Sequence, residues 1–304
     1  YKSNTINQTF TADLSISSGY SKAYIQSGNV RNEGIEMALG YSDKWNGFAW
    51  DSHLTLSWNK NKIIKLTEGS INPMTGEPIT KDNYDMGQLG NLDARVKLYK
   101  GGSIGDVYAT HRIKRDGNGN VFVSQEGKIE IESVDEFKLG SILPKTNMGW
   151  SNNFSYKGVN LGMTLTARFG GIALSGTQSV LDQYGVSQVT ANYRDTGGVP
   201  INHGYVDTEK YFDTVKGYAA YYTYSATNVR LAELSLSYTL PKEWFRDKLR
   251  MTVGLVGKNL WMIYCKAPFD PEATASTQSN YYQSYDYFMQ PTTRNLGFSV
   301  KLNF

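Results

Sequence analysis

"TTRNLGFSVKLNF", residues 292–304, decides the fold class. Leu296, Phe298, Val300, Leu302 and Phe304 fall on one face, and Asn295, Gly297, Ser299, Lys301 and Asn303 on the other. That is a period of two without exception, the mark of a strand lying between two different solvents. The same alternation recurs outward along the chain. In "GVNLGMTLTARFG" Val159, Leu161, Met163, Leu165, Ala167 and Phe169 oppose Asn160, Gly162, Thr164, Thr166 and Arg168. In "TNMGWSNNFSYKG" the apolar face is Met148, Trp150, Phe154 and Tyr156, and only "KG" separates these two strands, a tight hairpin signal.

Further strands are expected over 8–17, 28–41 (Ile35, Met37, Leu39, Tyr41), 48–60 (Phe48, Trp50, Leu54, Leu56, Trp58), 228–240 (Ala232, Leu234, Leu236, Tyr238, Leu240) and 250–261, with the turn "SDKWNG" after the second. Each is long enough for a tilted strand to cross hydrocarbon, which takes about 9–11 residues. An antiparallel sandwich in water is the competing fold, since its strands alternate too. Two features favour a membrane barrel. The polar faces carry Gly, Ser, Thr and Asn rather than Lys and Glu. Trp45, Trp58, Tyr41, Tyr156, Tyr238, Trp244, Trp261 and Tyr264 gather near strand ends, as in the aromatic girdles of a barrel.

Connection lengths agree. Those at 42–47, 157–158 and 241–249 are short, those at 62–94, 171–227 and 265–291 are long, and the two kinds alternate as they do in outer-membrane barrels. For the last strand to run inward, the segment 62–144 must contribute zero or two crossings. Two are expected, from "ARVKLYKGG" and from "SIGDVYATHRI" to "NVFVSQ".

Composition bounds the function. A hydrophobic content of 40%, with 22 Tyr and 6 Trp, is too rich for a disordered tail. The net charge of +3 is scattered, so no basic footprint for nucleic acid is present. Cys265 is the only cysteine, which excludes an intrachain disulfide and an all-cysteine metal site. No apolar run reaches 18 residues, so no transmembrane helix is expected, a finding that leaves barrels untouched. The start, "YKSNTINQTF", has no initiator Met and no signal-peptide pattern, as expected of a piece of something longer.

Four stretches in order, "NVRNEGIEMALG" (29–40), "FAWDSHLTLSWNKNKIIKL" (48–66), "NVRLAELSLSYTLPKEW" (228–244) followed by "GLVGKNLW" (254–261), and "FDPEA" (269–273) leading to the last strand, resemble the C-terminal barrel of the SusC/RagA family of TonB-dependent outer-membrane transporters from Bacteroidetes. The resemblance implies an all-β fold: an antiparallel transmembrane β-barrel of twenty-two strands, of which residues 1–304 supply about eight to ten at the C-terminal end. The plug domain and the N-terminal strands would lie outside this chain. It also implies a final aromatic, Phe304, read as an insertion signal, a SusD-like surface lipoprotein as a lid, TonB acting through the plug, and outer-membrane lipid around the wall. Active import of oligosaccharides or oligopeptides is the expected function. A TonB-dependent receptor for siderophores or vitamins and a soluble carbohydrate-binding β-sandwich are the competing functions.

Chemistry of other kinds finds little support. His53, His111 and His203 are the only histidines, none in HExxH spacing, and neither GxSxG nor a P-loop occurs, so no catalytic residue, cofactor or metal is assigned. "DGNGN" places Asp116, Asn118 and Asn120 at calcium-loop spacing, but Val121 stands where glycine is needed and Gly127 where glutamate is, so a hairpin turn is expected. The long connection 171–227 is the richest region for ligand contact, through Tyr193, Arg194, Asp195, Tyr205, Tyr211, Tyr221 and Tyr222, and "TQSVLDQYGV" within it is expected to be a short helix. Asp270 and Glu272 of "FDPEA" are added as substrate-binding candidates. Asp51, His53, Arg168 and Glu233 are expected to line the lumen.

Overall fold

A computed structural model describes all of the chain except residues 14–18, 20–21, 70, 72–76, 79–81, 125–127, 247 and 274–282. The chain begins with β1 (Lys2–Asp13), β2 (Lys22–Trp45) and β3 (Phe48–Lys65). There follow β4 (Asn83–Gln88), β5 (Arg95–Tyr99), β6 (Asp106–Ile113) and β7 (Ile131–Ser141), then β8 (Thr146–Tyr156) and β9 (Val159–Phe169). The next connection holds β10 (Ile172–Ser175), α1 (Gly176–Gln183), α2 (Gln188–Asp195), β11 (Val199–Ile201), β12 (Gly204–Val206), α3 (Thr208–Val215) and β13 (Thr223–Ser225). Last come β14 (Asn228–Thr239), β15 (Arg250–Cys265), β16 (Tyr285–Asp286) and β17 (Asn295–Asn303).

Eight strands make one open antiparallel sheet, the wall, in the order β1-β2-β3-β8-β9-β14-β15-β17. Among the described residues no second sheet covers its apolar face: Ile35, Leu39, Leu236, Leu255, Phe298 and Val300 are all at least half exposed. That removes the soluble sandwich, whose inner faces must be buried against one another. Two turns at one end are tight hairpins with positive φ at both central residues, Asn46–Gly47 and Lys157–Gly158, the backbone that matches strand twist. The strand before the first continues to Trp45, so this turn is shorter than "SDKWNG" suggests. Residues 14–17 of the expected 8–17 strand lie outside the described residues.

The expected two crossings within 62–144 are corrected to none. β3 pairs directly with β8 from Phe48↔Tyr156 to Trp58↔Thr146, leaving no place for a strand between them. "ARVKLYKGG" contributes β5 and "SIGDVYATHRI" β6, and both belong to a separate four-stranded sheet, β4-β5-β6-β7. "NVFVSQ" joins a short ribbon through the bridges Arg115↔Val121 and Val123↔Ile129. Val96, Leu98, Val107 and Ala109 are apolar because they are buried in protein. A period of two cannot tell a protein core from lipid.

The three long connections fold together as a cap with its own core. One cluster joins Leu92, Val96 and Val107 of the first connection, Leu174 and Tyr222 of the second, and Tyr285 of the third. The cap turns inward over the polar face of the wall. Val30 and Ile63, cross-strand partners on that face, are buried against Tyr84 and Leu98 of the cap sheet.

Candidate functional site

The inner face of the wall is built from short polar side chains that bond across strands. Ser151 and Thr164 hydroxyls lie 3.1 Å apart, Ser155 donates to Asn160 at 2.6 Å, and the Thr239 and Thr252 hydroxyls meet at 3.0 Å. Small satisfied groups of this kind leave a hydrophilic surface without bulk. Asp51, His53, Arg168 and Glu233 all have inward register positions: Asp51 opposite Asn153, His53 opposite Ser151, Arg168 opposite Asn147, and Glu233 opposite Thr164. Glu233 lies 3.8 Å from Lys258.

Arg230, which sequence reading passed over, sits inward because of a bulge. The register of β14 shifts between Leu231 and Glu233 against both of its neighbours, β9 and β15. Without the shift Arg230 would share the apolar face with Ala232, Leu234 and Leu236; with it, Arg230 pairs with Thr166 on the polar face. Its guanidinium, 8% exposed, donates to Asp270, 7% exposed, at 2.9 Å. Thr292 donates to the other Asp270 oxygen at 2.5 Å, Asn228 donates to Glu272 at 3.1 Å, and Arg230 lies 3.5 Å from Glu272. Burial opposes ionisation of Asp270, but the hydrogen bonds from Arg230, Thr292 and the Glu272 backbone N–H outweigh it and hold the carboxyl below its ordinary range. Asp270 and Glu272 therefore tie the last long connection to the wall. Asp270 also lines a recess of about 400 Å³ with Arg230, Trp261, Phe269 and Arg294.

The candidates of the second connection separate into two groups. Tyr211 and Tyr222 are interior, 1% and 0% exposed, and Tyr221 packs edge-on against Tyr211, Phe212 and Tyr222. Burial pushes the Tyr211 hydroxyl up to about 12 and the Tyr221 and Tyr222 hydroxyls higher still. Tyr211 and Tyr222 are buried in the cap core and Tyr221 is partly buried against them, so aromatic density in this loop reports packing as readily as recognition. Arg194, Asp195 and Tyr205 are exposed and Tyr193 is half-buried. Arg194 donates to the Gly185 carbonyl at 2.8 Å and lines a cleft of about 540 Å³ with Asp182, Tyr184, Asp207 and Glu209. There the Asp182 carboxyl is raised by burial, against the hydrogen bond it accepts from the Gln178 amide at 2.7 Å.

The short helix expected at "TQSVLDQYGV" is α1, capped by Ser175, whose hydroxyl accepts from the Gln178 N–H at 2.9 Å. The turn at "DGNGN" is closed by Asp116, whose carboxylate accepts from the Asn118 and Asn120 N–H groups.

No family model matches the chain. Among curated proteins it is similar to TonB-dependent receptor P3 of Formosa agariphila, 26% identical over 320 residues covering 100% of this chain and 32% of the relative. It is also similar to TonB-dependent receptor SusC of Bacteroides thetaiotaomicron, 22% identical over 268 residues, 84% of this chain and 25% of that protein. The chain thus spans about a third or less of the curated relatives it matches. In fold it matches the RagAB peptide importer in its open-open state, with TM-score 0.67, 16% identity, and coverage of 100% of this chain and 32% of the other. The closed-closed state matches with TM-score 0.67 over 99% of this chain. In sequence the chain is similar to TonB-dependent receptors, SusC among them, and in fold it matches the RagAB importer over the same residues, here as barrel wall and cap.

Proposed function

We propose that this chain forms part of the wall and external lid-bearing surface of an outer-membrane importer for oligosaccharides or oligopeptides. The rest of the barrel, the plug, the TonB contact and a SusD-like surface lipoprotein complete it. The single observation that carries the proposal is the wall itself, apolar and uncovered outside, polar inside, and capped over the polar face by three long connections.

The outer face has the dimensions of a bilayer. Tyr41, Trp45, Phe48, Trp50, Phe154 and Tyr156 cluster near the tight turns, and Trp58, Trp261 and Tyr264 stand toward the long connections. From Phe48 to Trp58 a strand rises about 33 Å, or about 25 Å once tilted as barrel strands are, the height of an outer-membrane apolar band. Two polar side chains on this face accept hydrogen bonds from tryptophans. The Trp50 indole N–H donates to Asn152 at 3.1 Å and the Trp150 indole N–H to Ser52 at 3.0 Å.

Polar inner groups that bond to one another suit passage of hydroxylated or amide-bearing solutes, and the cap cleft beside Arg194 offers such a solute an outer contact. The test is uptake of labelled oligopeptides and oligosaccharides by cells of the native host with and without the full receptor. Receptor-dependent uptake of either, abolished by a protonophore, is expected. Receptor-dependent uptake of ferric siderophores or vitamins alone would replace this function with the competing one.

A further inference from the structure

Two cations near the cap end of the wall, Arg168 and Lys145, have no ion-pair partner among the described residues. Arg168 stands at the cap end of β9, opposite Asn147 on β8 and Asn228 on β14. Its side chain is half-buried and its Nε is shielded from solvent without a hydrogen-bond partner. Among the described residues its guanidinium makes no ion pair either. The charges acting on it are Glu272, which attracts, and Arg230, which repels, and Glu272 is already bonded to Asn228 and close to Arg230.

Lys145 stands at the same end of the wall, just before β8. The Lys145 backbone N–H donates to the Phe169 carbonyl at 3.0 Å, and its side chain runs along Gly170, where an added Cβ would meet Lys145 Cγ at 3.4 Å. Lys145 is two residues before Asn147, the cross-strand partner of Arg168. Lys145 is exposed and, among the described residues, its ammonium also lacks a partner.

Shielding a guanidinium N–H without a hydrogen-bond acceptor is unfavourable, so native proteins rarely keep one unless something supplies the acceptor. We infer that Arg168, assisted by Lys145, is a receptor on the inner face for a carboxylate group of the entering solute. A carboxylate matches the planar guanidinium fork and supplies the hydrogen-bond partner that Glu272, already bonded to Asn228 and close to Arg230, does not. The inference rests on the inner face lining the import path. Two sources supply that chemistry, acidic peptides and uronate-containing oligosaccharides.

The experiment uses the full receptor purified from native membranes and calorimetric binding of matched probes: triglutamate against triglutamine, and trigalacturonate against maltotriose. At least one carboxylate probe is expected to bind more tightly than its neutral counterpart, with the preference weakened by salt, and the favoured probe names the source. Arg168→Gln should weaken that probe about tenfold, the scale of one charge-assisted hydrogen bond, and leave the neutral one unchanged. Arg168→Lys should recover part of the loss. Heat-modifiable migration on gels confirms that each variant is a folded barrel. The inference is overturned if the wild type shows no carboxylate preference, or if the preference survives Arg168→Gln combined with Lys145→Gln. Carboxylate binding without energy-dependent uptake would overturn the import function and leave the site standing. Uptake of neutral solutes with no carboxylate preference would do the reverse.

Discussion

At the scale of single residues, Tyr285 is the key that locks the cap. Its hydroxyl donates to Asn91 Oδ1 at 2.6 Å and accepts from the Asn91 N–H at 3.2 Å, so the third connection is fastened to the first. The ring passes between two glycines where a Cβ would meet its hydroxyl oxygen at 1.9 Å, at Gly90, and at 2.2 Å, at Gly176. Gly90 also has a φ of +57°, which an L side chain resists. Gly90→Ala is therefore expected to destabilise the cap by about 1–3 kcal/mol, and Tyr285→Phe by about 1 kcal/mol. Amide hydrogen exchange of the cap strands, with the wall strands as internal reference, measures both. Equal protection in Gly90→Ala and wild type would remove the key. Asp270 supports a second expectation. Its carboxyl is held below the ordinary value in the folded protein, so its contribution is present above about pH 4 and is lost as pH falls through the lowered value. Limited proteolysis after residue 265 should accelerate only in that acid window, and acceleration between pH 7 and 5 would point to another group. None of this was legible in the sequence. "FDPEA" marked Asp270 and Glu272, but their partner Arg230 lies forty positions away and points inward only because of a bulge.

At the scale of elements, β17 tests which face meets lipid. Val300 pairs with Val253 on the outer face and Ser299 with Gly254 on the inner one. Val300→Arg should cost about 2–4 kcal/mol if it lies at mid-bilayer, whereas Ser299→Arg should cost far less. Refolding titrations of the full barrel into lipid vesicles, read by gel migration, separate the two. Comparable costs would mean that the face assignment is wrong. Alternation made the wall strands readable, because a strand with unlike faces has no other pattern available, although β1 begins at Lys2 and not at residue 8. It misread β5 and β6 for the same reason: buried on the cap's core, they alternate as wall strands do. The helices α2 and α3 were missed because eight-residue helices carry too few turns for a periodic signal, although Ser187 and Asp207 accept at their N-termini as caps do.

At the scale of the whole molecule, the open sheet is the governing fact. Among the described residues one edge is formed by β1 and, beyond Gly34, by the part of β2 that β1 does not reach, and the other edge is β17, with Leu296 and Phe298 each 80% exposed. Unpaired backbone cannot stand in hydrocarbon, and exposed apolar edges recruit other chains. Expressed by themselves, these 304 residues are expected to associate rather than remain a monodisperse monomer, which sedimentation velocity in mild detergent would show. A stable monomer would mean that the sheet closes on itself, with a strand order different from the one described. The sequence by itself determined the wall: which segments are strands, which side chains face outward, where the tight turns lie, and which barrel family they resemble. These are local properties, set by the period-two geometry of an extended chain and by turn chemistry. Only the tertiary structure decided that 62–144 crosses nothing, that three long connections share one core, that Tyr211, Tyr221 and Tyr222 belong to it, and that Arg230 is paired while Arg168 is not. Those outcomes depend on contacts between residues far apart in the chain and on a one-residue register shift, neither of which leaves a mark on local pattern.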